Sequence, residues 1–273
     1  MLQSISLCDE ISFELRQDDD EIRLTCDDPS VPVDETNLIV RAARALSSTG
    51  GVNGGVNVSL AKRIPAKGGL GGGSSNAAVA LFALNRLWRL GLGTADLQQI
   101  CSGLGADVPF FLSGGTAVAT GIGTEIEPVS DVGRQWLIVL TPNASVSTAT
   151  AYAALNAPSL TTSESIPILS SSFTEPFIAD SGQWSLHNDF EGVIFEIEPE
   201  IRRAKFALLD AVARGALLAG SGSSVFGIFT DEAARDQALD NLRCEAGWRV
   251  FACHTLSRGE YLQAINRQSD TGA

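Results

Sequence analysis

Between residues 65 and 76 the chain runs Pro65, Ala66, Lys67, Gly68, Gly69, Leu70, Gly71, Gly72, Gly73, Ser74, Ser75, Asn76. Glycines without side chains let successive backbone N–H groups face one anion, and a helix starting directly afterwards adds partial positive charge. Ser74 and Ser75 can cap that helix and donate hydroxyl hydrogen bonds to phosphate oxygens. The chemistry is therefore the binding of a phosphorylated ligand, with Gly71 to Gly73 as its cradle. The segment is not a Walker A loop, which would set Lys before Ser/Thr, nor a dinucleotide fingerprint, whose acidic ribose partner is not evident. A flexible connector is the plain alternative, but it would need neither the opening proline, the central leucine nor an immediate helix. Lys62, Arg63 and Lys67 cluster beside the loop, either to assist phosphate or as a solvated patch.

A second candidate lies in Leu104-Gly-Ala-Asp-Val-Pro-Phe-Phe111, where Asp107 is held by stiff backbone in an apolar setting. A carboxylate so placed can accept a hydroxyl proton. Its plainer reading is a helix-end cap. Further on, Leu218 to Gly227 contains a second glycine loop, Gly220, Ser221, Gly222 and Ser223. Alone that loop is a weak signal, since many β-turns look alike. His187-Asn-Asp-Phe-Glu191 reads as a helix start with Asn188 or Asp189 capping and His187 at the surface.

Taken together and in this order, the three segments resemble those of the GHMP kinases. The long form Gly-Gly-Leu-Gly-Gly-Gly-Ser-Ser-Asn resembles the diphosphocytidyl-methylerythritol kinase branch of that family. The resemblance implies an α+β fold of two domains, a mixed α/β domain over residues 1–133 and a ferredoxin-like α+β domain over residues 134–273. It implies ATP as co-substrate in the cleft between them, with Mg²⁺, and Asp107 as the base. Gly220 to Ser223 would fold over the phosphate loop. Leu38 and Ile39 would line the adenine pocket, or else serve as core residues of a helix. Tyr152 would stack on a cytosine, or else be a half-buried helix tyrosine. The protein ligands of the metal are not implied. The implied reaction is phosphorylation of the 2-hydroxyl of 4-diphosphocytidyl-2-C-methyl-D-erythritol, a small molecule carrying a cytidine diphosphate group, in non-mevalonate isoprenoid synthesis. A GHMP kinase of another small alcohol, or a nucleotide-binding homologue with impaired catalysis, remain as alternatives. The family opens with a strand bearing Pro-Ala-Lys-x-Asn and then Gly-Tyr-His, and neither stands at the corresponding place here. About thirty residues are thus expected upstream of Met1, with a start assigned too far downstream.

Composition narrows the remaining classes. Of 273 residues, 44% are hydrophobic and 19% charged, a globular balance. With 32 acidic against 19 basic residues the net charge is −13, the wrong sign for a nucleic-acid surface. The same field repels ATP, so an anion site must be built locally from N–H groups and a few cations. No apolar run reaches the ~18 residues of a membrane helix, and the start lacks a signal peptide's basic n-region; a cytoplasmic protein is expected. Cys8, Cys26, Cys101, Cys244 and Cys253 are scattered, so buried free thiols are expected rather than zinc or disulfides.

The elements that must position these residues follow from periodicity. Ile11–Leu15 and Glu21–Thr25 alternate and read as a hairpin, and Val56–Leu60 as a strand entering the first loop. Asp34 or Thr36 is expected to cap a helix over 37–46. Ala77, Leu81, Leu84 and Trp88 stripe a second helix, and Leu97, Ile100, Cys101 and Leu104 a third capped by Thr94. Strands follow at Thr116–Thr120 and Trp136–Thr141, with a domain boundary near Val132–Gln135. Ala157 to Gly182 reads as a long loop. Pro199 suits the first turn of a helix bearing Ile201, Ala204, Leu208 and Val212. Leu217–Ala219, Val225–Phe229, a helix from Asp231 and Trp248–Thr255 complete the chain.

Overall fold

The computed structural model describes residues 1–17, 19–52, 54–121, 123, 125–155 and 187–266. In the first half, β1 (Leu2–Gln3), β2 (Glu10–Leu15) and β3 (Ile22–Cys26) precede helix α1 (Leu38–Gly50). Strand β4 (Val56–Ala61) then leads through the glycine loop into α2 (Gly72–Leu87) and α3 (Thr94–Leu104). A short 3-10 helix (Val108–Leu112), β5 (Thr116–Thr120) and β6 (Glu125–Pro128) follow.

Val56, Val58 and Leu60 alternate along β4 and are all buried, which makes β4 the centre of a sheet ordered β2-β4-β3. The hairpin expected from 11–15 and 21–25 therefore does not form. Strand β2 pairs antiparallel and β3 parallel with β4, and they never touch as neighbours. Alternation fixes which face a strand buries but not which strand it pairs with. Helices α1 and α2 cover this sheet, and Ile39, Leu46, Leu81 and Leu84 join the β4 residues in one core. A second sheet, β1-β5-β6, stands apart.

The second half runs β7 (Trp136–Thr141), α4 (Thr148–Leu155), α5 (Phe190–Ile197), α6 (Pro199–Asp210), β8 (Gly215–Leu218), β9 (Val225–Phe229), α7 (Glu232–Asn241), β10 (Arg249–His254) and α8 (Arg258–Ile265). Its four strands form an antiparallel sheet ordered β10-β7-β9-β8. That is the fourth, first, third and second strand of this half side by side, the ferredoxin-like order. Ile138, Leu140, Ile194, Ile201, Leu208 and Leu218 fill its core. The halves are stitched by backbone: Ser6 N donates to the His254 carbonyl at 2.9 Å and Leu256 N to that of Ser4 at 2.8 Å.

Helix ends depart from expectation in three places. Asn37, not Asp34 or Thr36, caps α1 by accepting from Ile39 N at 2.9 Å, while Asp34 turns onto Thr36 N. Thr94 is the first residue of α3 rather than its cap; Gly93 precedes it, with Gly93 N donating to the Asp96 carboxylate at 3.0 Å. Pro199 does open α6, and Asp231 caps α7 by accepting from Ala234 N at 2.8 Å. The five thiols are free, but only Cys101 and Cys253 are buried, while Cys8 and Cys244 are exposed. The loop expected over Ala157 to Gly182 lies outside the described residues. Among the described residues no helix is long and apolar enough to cross a membrane.

Leu81 sits fully buried where α2 packs on α1, in the core that also takes in the β4 side chains. Leu81→Ala should cost about 2–5 kcal/mol of unfolding free energy, read as a lowered midpoint in urea with an unchanged slope.

Candidate active site

The first glycine loop takes its shape from what lies against it. Gly69 has φ +72°, and a side chain there would run into the Ala219 carbonyl and into backbone atoms of Gly222. Only glycine allows so close a backbone approach in that conformation. Ser224 N donates to the Gly68 carbonyl at 3.0 Å, and the buried Ser224 hydroxyl lies 2.8 Å from that of Thr141 on β7. The two glycine loops, 150 residues apart in the chain, are thus in direct contact.

Helix α2 begins at Gly72, with Gly71 at its N-cap in the left-handed region, φ +67°. Ser74 and Ser75 are therefore inside the first turn and do not cap it; Ser75 N donates to the Gly71 carbonyl at 2.8 Å. A glycine cap offers no side-chain acceptor, so the first-turn N–H groups keep their capacity for an external anion. Gly73 is exposed, and a Cβ built there would meet only Leu38 Cδ1, at 3.7 Å. Gly72 differs: its Cβ would press on Ile64 Cγ2 at 2.9 Å and Lys62 Nζ at 3.2 Å. Pro65 is buried at the loop's entrance, whereas Ala66 and Lys67 are exposed, Lys67 at φ +59°.

The basic cluster splits. Lys62 is buried in an ion pair with Asp9, and Arg63 pairs with Asp27 at 2.9 Å. Lys67 makes no ion pair among the described residues, which leaves it as the cluster's candidate for phosphate. Of the pair expected at the adenine, Leu38 lies beside the cradle, whereas Ile39 is 1% exposed and packs in the core.

Asp107 immediately precedes the 3-10 helix, and its side chain makes no cap hydrogen bond. The helix-cap reading therefore fails: the carboxylate is exposed and uncommitted among the described residues. Burial around it nevertheless raises its pKa above the usual aspartate value, by desolvation of the charged form. The next turn fixes this segment to the glycine loop, since a Cβ on Gly71 would touch the Phe111 ring at 2.9 Å. Tyr261 on α8, buried, donates to the Phe111 carbonyl at 2.7 Å.

The second loop, Gly220 to Ser223, is braced from its own half. Asn188 Nδ2 donates to the carbonyls of Leu218 at 2.9 Å and Gly220 at 2.8 Å, while its Oδ1 accepts from Phe190 N at 3.0 Å. Asn188, not Asp189, is thus the side chain that caps α5. The Ser221 hydroxyl lies 3.3 Å from that of Thr148, which opens α4. Tyr152, on α4, is 57% exposed with its ring edge-on to Phe190 at 5.0 Å. It is not the half-buried helix residue of the plainer reading. Sequence reasoning missed Asp9 and Tyr261 altogether, took Thr141 only as a strand end and Ser224 only as part of the second glycine segment, and read Asn188 only as a cap.

Two glycine loops meet beside a helix N-terminus, and the Asp107 segment is held against them through Phe111, an arrangement that could hold a phosphorylated ligand next to a carboxylate. Comparison with known proteins agrees: residues 37–115 match the model of the GHMP kinases N terminal domain and residues 178–247 that of the GHMP kinases C terminal. The chain belongs to the GHMP kinase family. Within it, the chain is similar to the 4-diphosphocytidyl-2-C-methyl-D-erythritol kinase of Syntrophotalea carbinolica, 40% identical over 94% of this chain and 89% of that one. A crystal structure of 4-(cytidine 5'-diphospho)-2C-methyl-D-erythritol kinase superposes with a TM-score of 0.73 at 31% identity, covering 92% of this chain and 87% of that one. The homoserine kinase of Cytophaga hutchinsonii shares the fold, with a TM-score of 0.70 at 20% identity, over 91% of this chain and 86% of that one.

Because a Cβ on Gly73 would make only an ordinary contact with Leu38, Gly73→Val should fill the cradle without disturbing the fold, whereas Gly72→Val would press on Ile64 and Lys62. ATP affinity measured by calorimetry should fall at least ~10-fold while the melting temperature stays near wild type. Unchanged affinity would show that phosphate binds elsewhere.

Proposed function

We propose that this chain transfers the γ-phosphoryl group of ATP to the 2-hydroxyl of 4-diphosphocytidyl-2-C-methyl-D-erythritol, a step of non-mevalonate isoprenoid synthesis. The observation that carries this reading is the contact between the two glycine loops beside the Asp107 turn, in a chain 40% identical to a kinase of that substrate. The substrate hydroxyl oxygen bonds to the γ-phosphorus as the bond to the β-bridging oxygen breaks and ADP leaves. Asp107 takes the hydroxyl proton. Residues 68–75 hold the phosphates through backbone N–H groups, Lys67 adds a cation at the rim, and Gly220 to Ser223 close over them. Leu38, beside Gly73, packs against the purine. The exposed Tyr152 ring stacks on the cytosine.

Among the described residues, no group of three or more His, Cys, Asp or Glu side chains is arranged to hold a metal ion. Mg²⁺ brought with ATP would supply charge neutralisation of the phosphates. A division into units of residues 1–133 and 134–273, with the nucleotide between them, and a cytoplasmic location belong to the same reading. The acidic surface argues against a nucleic-acid partner.

The direct test is to incubate the purified chain with ATP and the cytidine-bearing alcohol, following ADP release and product mass. Product on that substrate and none on homoserine or mevalonate is expected; the reverse preference would sink the assignment. Asp107→Asn should lower kcat by ~10²-fold or more with ATP binding retained. Because the base must be ionised and desolvation raises its pKa, wild-type kcat/KM should fall as pH drops, with a midpoint above the usual aspartate range. A midpoint at the ordinary value would mean that solvent reaches the carboxylate freely. Tyr152→Ala should raise KM for the cytidine substrate roughly 5- to 150-fold, the scale of one lost base stack, and leave KM for ATP nearly unchanged.

A further inference from the structure

Beneath the first glycine loop lies a buried charge pair that the proposed chemistry does not use. Asp9, just ahead of β2, has a side chain 1% exposed, and Lys62, just after β4, one 5% exposed, with Nζ and Oδ2 2.7 Å apart. The Asp9 carboxylate is fully engaged. Its Oδ1 accepts from the backbone N–H groups of Arg63 at 2.7 Å and Ile64 at 2.8 Å. Its Oδ2 accepts from Lys62 Nζ and, at 2.9 Å, from Asn76 Nδ2. Lys62 Nζ also donates to the Ile64 carbonyl, and Gly72 lies directly over it.

These donors stand on either side of the loop in the chain. Residues 62–64 are the backbone entering it, and Asn76 lies in the first turns of the helix leaving it. One carboxylate therefore fixes the span between the two ends of the loop and, with it, the direction of the α2 N-terminus. Stability alone does not explain a charge pair here, because well-packed apolar residues in place of a buried ion pair are often neutral or better. What apolar residues would not supply is four directional bonds that tie entry to exit.

We propose that Asp9 is a positioning residue for the phosphate loop, acting on ATP through the Arg63 and Ile64 amides and through Asn76. The inference rests on residues 68–75 being the ATP cradle. Its consequence is selective: loosening the clamp should weaken ATP binding and leave the alcohol substrate's site alone.

Three variants test it by Mg·ATP calorimetry, thermal melting and separate KM values. Asn76→Ala removes one arm and no charge. Asp9→Asn leaves Lys62 unpaired, and Asp9→Leu with Lys62→Met removes both charges and every acceptor for the Arg63, Ile64 and Asn76 donors. Misplacing a binding group by an ångström costs up to ~10²-fold, so each variant should weaken ATP binding about 10-fold or more. KM for the cytidine substrate should stay within about twofold. The apolar double variant should regain the melting temperature that Asp9→Asn loses, yet not wild-type ATP affinity. Wild-type ATP affinity in Asn76→Ala and in the double variant would reduce the pair to a structural role and overturn the inference. Failure of the wild-type chain itself to bind ATP would instead sink the assignment of the loop, and the inference with it.

Discussion

The backbone of one glycine loop lies directly on the backbone of the other, and much of the proposed site is arranged around that contact. A Cβ on Gly69 has no room, because the Ala219 carbonyl and Gly222 are already there. Once the loops touch, β7 is drawn in through Thr141 and Ser224, and α5 through Asn188. On the other side Gly71 receives the Phe111 ring, which brings the Asp107 turn alongside. A binding site assembled between two halves of a chain is precise only if their separation is fixed. Here it is fixed by peptide groups, the stiffest part of the chain.

Electrostatics then decides how an acidic protein would hold the acidic ligand proposed for it. The net charge of −13 opposes ATP at long range, and two of the three nearby cations are neutralised by Asp9 and Asp27. What remains is short-ranged: N–H groups at the start of α2 and the exposed Lys67. Such dipoles act within hydrogen-bonding distance and lose little to salt screening compared with exposed charges. A loop that relies on orientation rather than charge needs its geometry held from below, which gives the buried Asp9 carboxylate its importance.

Much of this was legible in the sequence where local signals suffice. The stripe Ala77, Leu81, Leu84 marked α2, Pro199 marked the start of α6, and Asp231 the start of α7, because each depends on neighbours within one helical turn. The hairpin failed because strand pairing is set at a distance: β4, 41 residues after Leu15, enters between its partners. The same limit hid the clamp. Asp9 finds Asn76 across 67 positions and Lys62 across 53, and nothing in the residues around Asp9 announces either. Tyr261 likewise reaches Phe111 across 150 positions from a helix too short to declare its face. The glycine loops were visible as two motifs, and only the fold could join them. Thr94 and the two serines were misjudged as caps because glycine took the N-cap position in both helices, a role without side-chain signature.

The central claim is that one ligand is gripped by both loops at once. Amide hydrogen exchange with and without ATP, followed by mass spectrometry on peptides spanning 66–76 and 217–225, tests it most directly. Protection should rise in both segments at the same ATP concentration, with little change along β2 and β3. Protection confined to one loop, or absent from both while ATP is demonstrably bound, would contradict the account.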